Sequence, residues 1–125
     1  MMDPFYIVDV REDFRGNPYI TLWRPKNAGY AYPLPWAGEY SREEIDAAPD
    51  YYHRHRYGTA PAFDRFPVPC AAVQKFSTDP APGRIDGNAG PVIPNTVAVR
   101  AALRRARYVP AGLRQLKPLK EGPMP

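Results

Sequence analysis

The stretch Phe5–Trp23, FYIVDVREDFRGNPYITLW, decides the fold. Its two ends, Phe5–Val10 and Tyr19–Trp23, are β-branched and aromatic with partial alternation, the composition of strands. Gly16-Asn17-Pro18 lies between them, so the two runs read as an antiparallel hairpin with a long loop. Alternation places Ile20 and Leu22 on one side of the second strand and Tyr19, Thr21 and Trp23 on the other.

Working outward, Arg24–Tyr40 is irregular: Pro25, Pro33 and Pro35 remove backbone donors, and Gly29 and Gly38 offer turns. It nevertheless holds Tyr30, Tyr32, Trp36 and Tyr40, rings that disordered linkers seldom carry. Ser41-Arg-Glu-Glu44 has the form of a capping box and predicts a short helix that ends or kinks near Pro49. Residues 50–67 read as a polar loop. Pro69 suits the first turn of a second short helix running to Phe76, and 77–91 reads as a turn-rich loop. Asn95 then caps a third helix, Thr96–Arg107, with Val99, Ala102, Leu103 and Ala106 on one apolar face and Arg100, Arg104 and Arg107 on another. The expected fold is α+β and loop-rich: a small antiparallel sheet with two or three short helices. One compact domain is expected over 1–109, with 110–125 as a flexible C-terminal tail.

Composition narrows the classes. The chain has 125 residues, 44% hydrophobic and 13% aromatic, which is material for one real core despite 17 prolines and 9 glycines. No run approaches the ~18 apolar residues of a membrane span, and the N-terminus has neither a basic region nor a cleavable apolar segment. A single cysteine forms no internal disulfide, which fits a reducing compartment. Charge is uneven: residues 1–60 carry seven Lys and Arg against nine Asp and Glu, whereas 61–125 carry ten against four. The basic half suggests an anionic partner, although the same charge also serves solubility alone.

Candidate catalytic groups do not assemble. Cys70 follows Pro69 at a helix start, where a dipole lowers a thiol pKa, but nothing local orients His53 or His55 as its base. Those two histidines plus one cysteine fall short of a zinc ligand set. Glu43, Glu44, Asp46 and Asp50 are explained by helix capping and solvation. Gly83, Gly87 and Gly90 form a glycine-bearing loop without a phosphate-binding motif around it. The expectation is a binding protein with no catalytic residues, no metal and no cofactor.

The stronger signal is the mixture of rings and cations. Trp23, Tyr30, Tyr32 and Trp36 can stack on bases, and Arg24, Lys26, Arg100 and Arg104 can pair with phosphate. Asn27 offers a donor and an acceptor to a base edge. The competing reading is that the tryptophans fill the core and the arginines line a solvated helix face.

The segment Tyr19–Tyr40, YITLWRPKNAGYAYPLPWAGEY, resembles a family of small uncharacterised bacteriophage and prophage accessory proteins. There a strand ends in a Trp-Arg-Pro turn, and a Gly-Tyr…Pro-Leu…Ala-Gly-x-Tyr segment precedes a short acidic helix. Val68-Pro-Cys70, Asp86–Val92 and Asn95 are similar to that family as well. The resemblance brings no activity or site residues; it implies a phage setting and the host cytoplasm. In that setting the expected function is anti-defence: sequestering a phosphorylated nucleotide or cyclic-nucleotide immune signal without chemistry on it. One alternative is a protein–protein inhibitor of a host defence complex, docking through the 24–40 loop in the manner of an anti-CRISPR protein. Another is a non-specific nucleic-acid-binding accessory protein. Either way the partner is an anionic nucleotide or a host defence protein, not a membrane, and self-association is left open.

Overall fold

The computed structural model describes residues 4–56, 62–82 and 90–113. Among the described residues the strands and α-helices follow in chain order as β1 (Phe5–Asp9), β2 (Thr21–Trp23), β3 (Tyr30–Ala31), α1 (Arg42–Ala47), α2 (Pro49–Tyr52), β4 (Arg54–Arg56), β5 (Ala62–Pro69), α3 (Cys70–Gln74) and α4 (Val97–Arg105), with short 3-10 turns in the connections. The strands form one antiparallel sheet in the order β3-β2-β1-β5-β4. The α+β expectation and the β1–β2 hairpin both hold, with Val8 opposite Leu22 and Asp9 opposite Thr21.

Strand β1 is the sheet's centre because both of its faces are buried, all five residues of it. Tyr6 and Val8, with Val10 just beyond, point to a first face with Leu22, Phe66 and Val68, covered by Val73 of α3, Ile93 and Leu103 of α4. Phe5 and Ile7 point to a second face with Trp23, covered by Tyr40, Ile45 of α1 and Tyr52 of α2. Each such large apolar side chain contributes roughly 1.5–3 kcal/mol on burial. Helix α1 begins where the capping box places it: Ser41 Oγ accepts from Glu44 N at 3.1 Å, and Glu44 Oε1 accepts from Ser41 N at 2.8 Å.

Several expectations are corrected. The 50–67 segment is not a polar loop: it contains α2, β4 and much of β5, and β5 is the second partner of β1. Pro67 and Pro69 disguise that strand. Pro67 O accepts from Tyr108 N at 2.8 Å, so its peptide edge faces away from β1, and its missing N–H lies on the same outer side. Among the described residues no strand needs that N–H on the outer side, because β4 pairs with β5 no further than Arg65. Pro69 faces Phe5, whose own N–H and C=O exchange bonds with Tyr40 on the opposite flank. Pro69 is therefore the N-cap of α3 rather than a residue of its first turn.

Helix α4 is capped by Thr96, whose side chain accepts from Val99 N at 3.1 Å, not by Asn95. The Asn95 amide Nδ2 instead donates to the carbonyls of Phe14, Arg15 and Asn17, fastening the β1–β2 loop. Val99, Leu103 and Ala106 face the core as their spacing requires. Burial continues past residue 109, since Pro110 and Leu113 are both covered. Residues 114–125 of the expected tail, together with Gly83 and Gly87, lie outside the described residues.

Candidate functional site

On the second face, beside the apolar cluster, β1, β2 and β5 place Asp9, Trp23 and Arg65 together. Asp9 is 1% exposed, yet its carboxylate is satisfied. Oδ1 accepts from Arg11 Nε at 2.8 Å, and Oδ2 accepts from Arg11 Nη2 at 2.6 Å and from Trp23 Nε1 at 3.0 Å. The short bidentate pair holds the Arg11 guanidinium well above its ordinary pKa, chiefly through the hydrogen bonds to Asp9. The remaining Nη2 valence reaches Tyr30 Oη at 3.3 Å, and the guanidinium lies over the Phe14 and Tyr30 rings.

Arg65 stands directly across from Asp9 in the β1–β5 register. With the carboxylate already committed to Arg11 and Trp23, Arg65 finds aromatic partners instead. Its guanidinium carbon lies 5.3 Å from both the Trp23 and the Tyr51 ring centroids, and its Nε donates to Tyr51 O at 2.6 Å. Burial lowers its pKa first of all, and the cations Arg54 and Arg11 push in the same direction against Asp9. Among the described residues no carboxylate pairs with it: Arg54 takes Asp64 and Arg11 takes Asp9. A half-buried cation in this state favours a bound anion.

The loop after β2 extends this face. Arg24 Nε donates to Tyr30 O at 2.9 Å, and its guanidinium lies 5.0 Å from the Trp36 centroid. Lys26 and Asn27 both adopt left-handed backbone, with φ of 58° and 59°, which costs of order 1–3 kcal/mol per residue unless the surroundings enforce it. Tyr40 enforces it here: its hydroxyl accepts from Asn27 N at 3.0 Å and donates to Arg24 O. The Tyr52 hydroxyl donates to Asn27 Oδ1 at 3.4 Å, and Asn27 itself is exposed. Two open clefts result. One, of about 120 Å³, is lined by Trp23, Asn27, Gly29, Tyr30 and Tyr51. The other, of about 230 Å³, is lined by Phe14, Asn17, Thr21, Tyr30, Ala31 and Tyr32.

Of the residues singled out from sequence, Trp23, Arg24, Lys26, Asn27, Tyr30 and Trp36 belong to this one face or its bounding loop. Their roles differ. Tyr30 and Trp36 are 46% and 48% exposed, whereas Trp23 is 5% exposed and serves as a floor rather than a stacking plate. Tyr32 is half-buried and meets Tyr19 edge-on, presenting itself to the larger cleft. Arg100 and Arg104 sit on α4, which packs on the first face of the sheet. Arg100 Nη1 donates to Asn95 Oδ1 at 2.6 Å, and Arg104 is exposed and lends its carbonyl to Arg107. Neither touches the ring cluster among the described residues.

Sequence reasoning missed Arg11, Tyr51 and Arg65, which converge only through pairings far apart in the chain. No local pattern marked them: Phe63 packs on the same cluster as Phe66 and Val68, so β5 shows no clean alternation around Arg65. Cys70 is buried beside Tyr6, and burial first, then the Glu39 carboxylate, push its thiol up to about 12. That environment suits a packed thiol, not a nucleophile. His53 is fully buried and accepts at Nε2 from Arg107 Nε at 3.2 Å. Among the described residues no group of three or more His, Cys, Asp and Glu side chains is placed to hold a metal, and no helix is long and apolar enough to cross a membrane.

No family model, curated protein or solved structure matches the chain, so the phage resemblance rests on the quoted residues alone.

Proposed function

We propose that this chain binds a phosphorylated nucleotide on its second sheet face and performs no chemistry on it. In the phage setting that the resemblance implies, it would hold an immune signal away from its host receptor. The observation that carries this reading is Arg65, a desolvated guanidinium set between the Trp23 and Tyr51 rings with no carboxylate partner among the described residues. Phosphate supplies the charge-assisted hydrogen bonds its free Nη atoms lack. Arg24 and Lys26 add charge nearby, and the exposed Tyr30 and Tyr51 rings offer stacking surfaces to a base. The amide of exposed Asn27, bonded at Oδ1 by Tyr52, offers donors to a base carbonyl.

Calorimetry against mononucleotides, cyclic nucleotides and ADP-ribose tests the proposal. Micromolar binding that Arg65→Ala weakens by about 10–100-fold, as expected for a hydrogen bond to a charged group, supports it. Folded protein that binds none of them at micromolar concentration rejects it.

A protein–protein inhibitor is the second reading, favoured by Trp36. Its 48% exposed ring, with Arg24 stacked on it, is the residue pairing that dominates protein interfaces. A host protein retained stoichiometrically after nucleotide removal, and lost with Trp36→Ala, favours that reading.

A further inference from the structure

The two clefts meet at Tyr30, which lines both. Four contacts hold this residue in place. Its backbone pairs with Trp23, its carbonyl accepts from Arg24 Nε, its hydroxyl accepts from Arg11 Nη2, and its ring meets Phe14 edge-on at 5.3 Å between centroids. Nearly half of Tyr30 still stands in solvent. Further aromatic residues line each cleft, Trp23 and Tyr51 the smaller and Phe14 and Tyr32 the larger. With the Arg11 guanidinium over its ring and Phe14 edge-on to it, Tyr30 stands as a half-exposed ridge shared by the two aromatic clefts.

Size points the same way. Each cleft, at about 120 and 230 Å³, falls below the ~300 Å³ at which a single pocket begins to enclose a whole small ligand. A mononucleotide has one base to seat in one cleft and leaves the other cleft empty. Two cations in this region, Arg24 and Arg65, have no carboxylate partner among the described residues. We infer that the site takes a dinucleotide, one base in each cleft with Tyr30 between them, its phosphodiester charge balanced by Arg24 and Arg65. The inference rests on the nucleotide-binding reading and names its ligand class.

Calorimetry of the full chain decides it, with a mononucleotide, a linear dinucleotide, a cyclic dinucleotide and a longer single strand. Each is run in adenine, guanine and uracil series, on wild type, Tyr30→Phe and Tyr30→Ala. In at least one series a dinucleotide binds one per chain, at least about tenfold tighter than its mononucleotide, the gain expected from stacking a second base. The linear and cyclic arms tell which form is the ligand. Tyr30→Phe keeps the preference, and Tyr30→Ala brings the ratio close to one. The wild-type ratio is decisive even where Tyr30→Ala does not fold. A wild-type ratio near one in every series overturns the inference and leaves nucleotide binding standing. Absence of all binding removes both. A longer strand that binds tightest, with steep salt dependence, assigns the face to single-stranded nucleic acid and also overturns the inference.

Discussion

Trp23 Nε1 donates to Asp9 Oδ2 at 3.0 Å while the face of the same indole carries the Arg65 guanidinium. One residue thus ties a buried carboxylate on β1 to a cation on β5. The arrangement explains why Arg65 is left without a carboxylate partner among the described residues. Asp9 lies opposite it in register, but Asp9 is already filled by Arg11 and Trp23. The balance of charge on this face therefore comes from the strand register itself.

Removing Arg11 leaves the Asp9 carboxylate buried with Trp23 as its one side-chain donor. Arg11→Ala is expected to cost about 2–3 kcal/mol, below the ~3–5 of a fully buried pair because the Arg11 side chain is 31% exposed. Urea denaturation reads this directly. Asp9→Asn combined with Arg11→Ala recovers part of the loss, since no charge is then stranded. An Arg11→Ala variant as stable as the parent contradicts the network.

Gly38 allows the 24–38 loop to close on itself. A Cβ there lies 2.7 Å from Pro25 N and Cα and 2.9 Å from Arg24 C, all backbone atoms that cannot rotate away. Gly38→Ala is expected to destabilise by about 1–3 kcal/mol and to displace Arg24 and Lys26. Thermal melting gives the first effect. Weaker nucleotide binding at a temperature where the variant is folded gives the second.

Alkali is expected to loosen the first face. Burial raises the pKa of Tyr6 and takes the Cys70 thiol to about 12, so both bind their protons more tightly folded than unfolded. Their contribution is intact below the ordinary thiol range, about pH 8.5, and is lost as pH climbs toward the folded values. Urea midpoints measured across this alkaline range should fall less steeply for Cys70→Ala than for the parent. Thiol labelling near neutral pH should proceed only as fast as the chain unfolds; prompt labelling of folded protein would show an accessible, reactive Cys70.

Charge alone does not make the Arg65 site. Lysine keeps the positive charge but loses the planar group that lies against Trp23 and Tyr51 and the Nε that reaches Tyr51 O. Arg65→Lys should therefore bind nucleotide at least about tenfold more weakly than wild type, with little change in melting temperature. Equal affinity in calorimetry would mean that the ring contacts contribute nothing to ligand capture.

What could be read from sequence was local. The β1–β2 pair announced itself by alternation, α1 by four consecutive residues of a capping box, and α4 by a helical apolar face. The loop-borne part of the candidate site, from Arg24 to Trp36, was legible because its rings and cations are near neighbours in the chain. Strand β5 was not legible: Pro67 and Pro69 argue against a strand until it is known that β4 stops short of them. Arg65 and Tyr51 stayed hidden for the same reason, since only the β1–β5 register brings residue 65 across from residue 9. Asn95 looked like a cap because its neighbour Thr96 does the capping; its true partners are carbonyls some eighty residues away.

The chain has two tryptophans, so its indole N–H groups give two resonances that single substitutions assign. Titrating the folded, isotope-labelled protein with the tightest-binding nucleotide tests the central claim most directly. Occupation of the face should move the Trp23 resonance, because its ring both lines the smaller cleft and carries Arg65, and Arg65→Ala should reduce that shift at equal ligand concentration. A Trp23 signal that stays fixed at saturation, whatever Trp36 does, would contradict the account.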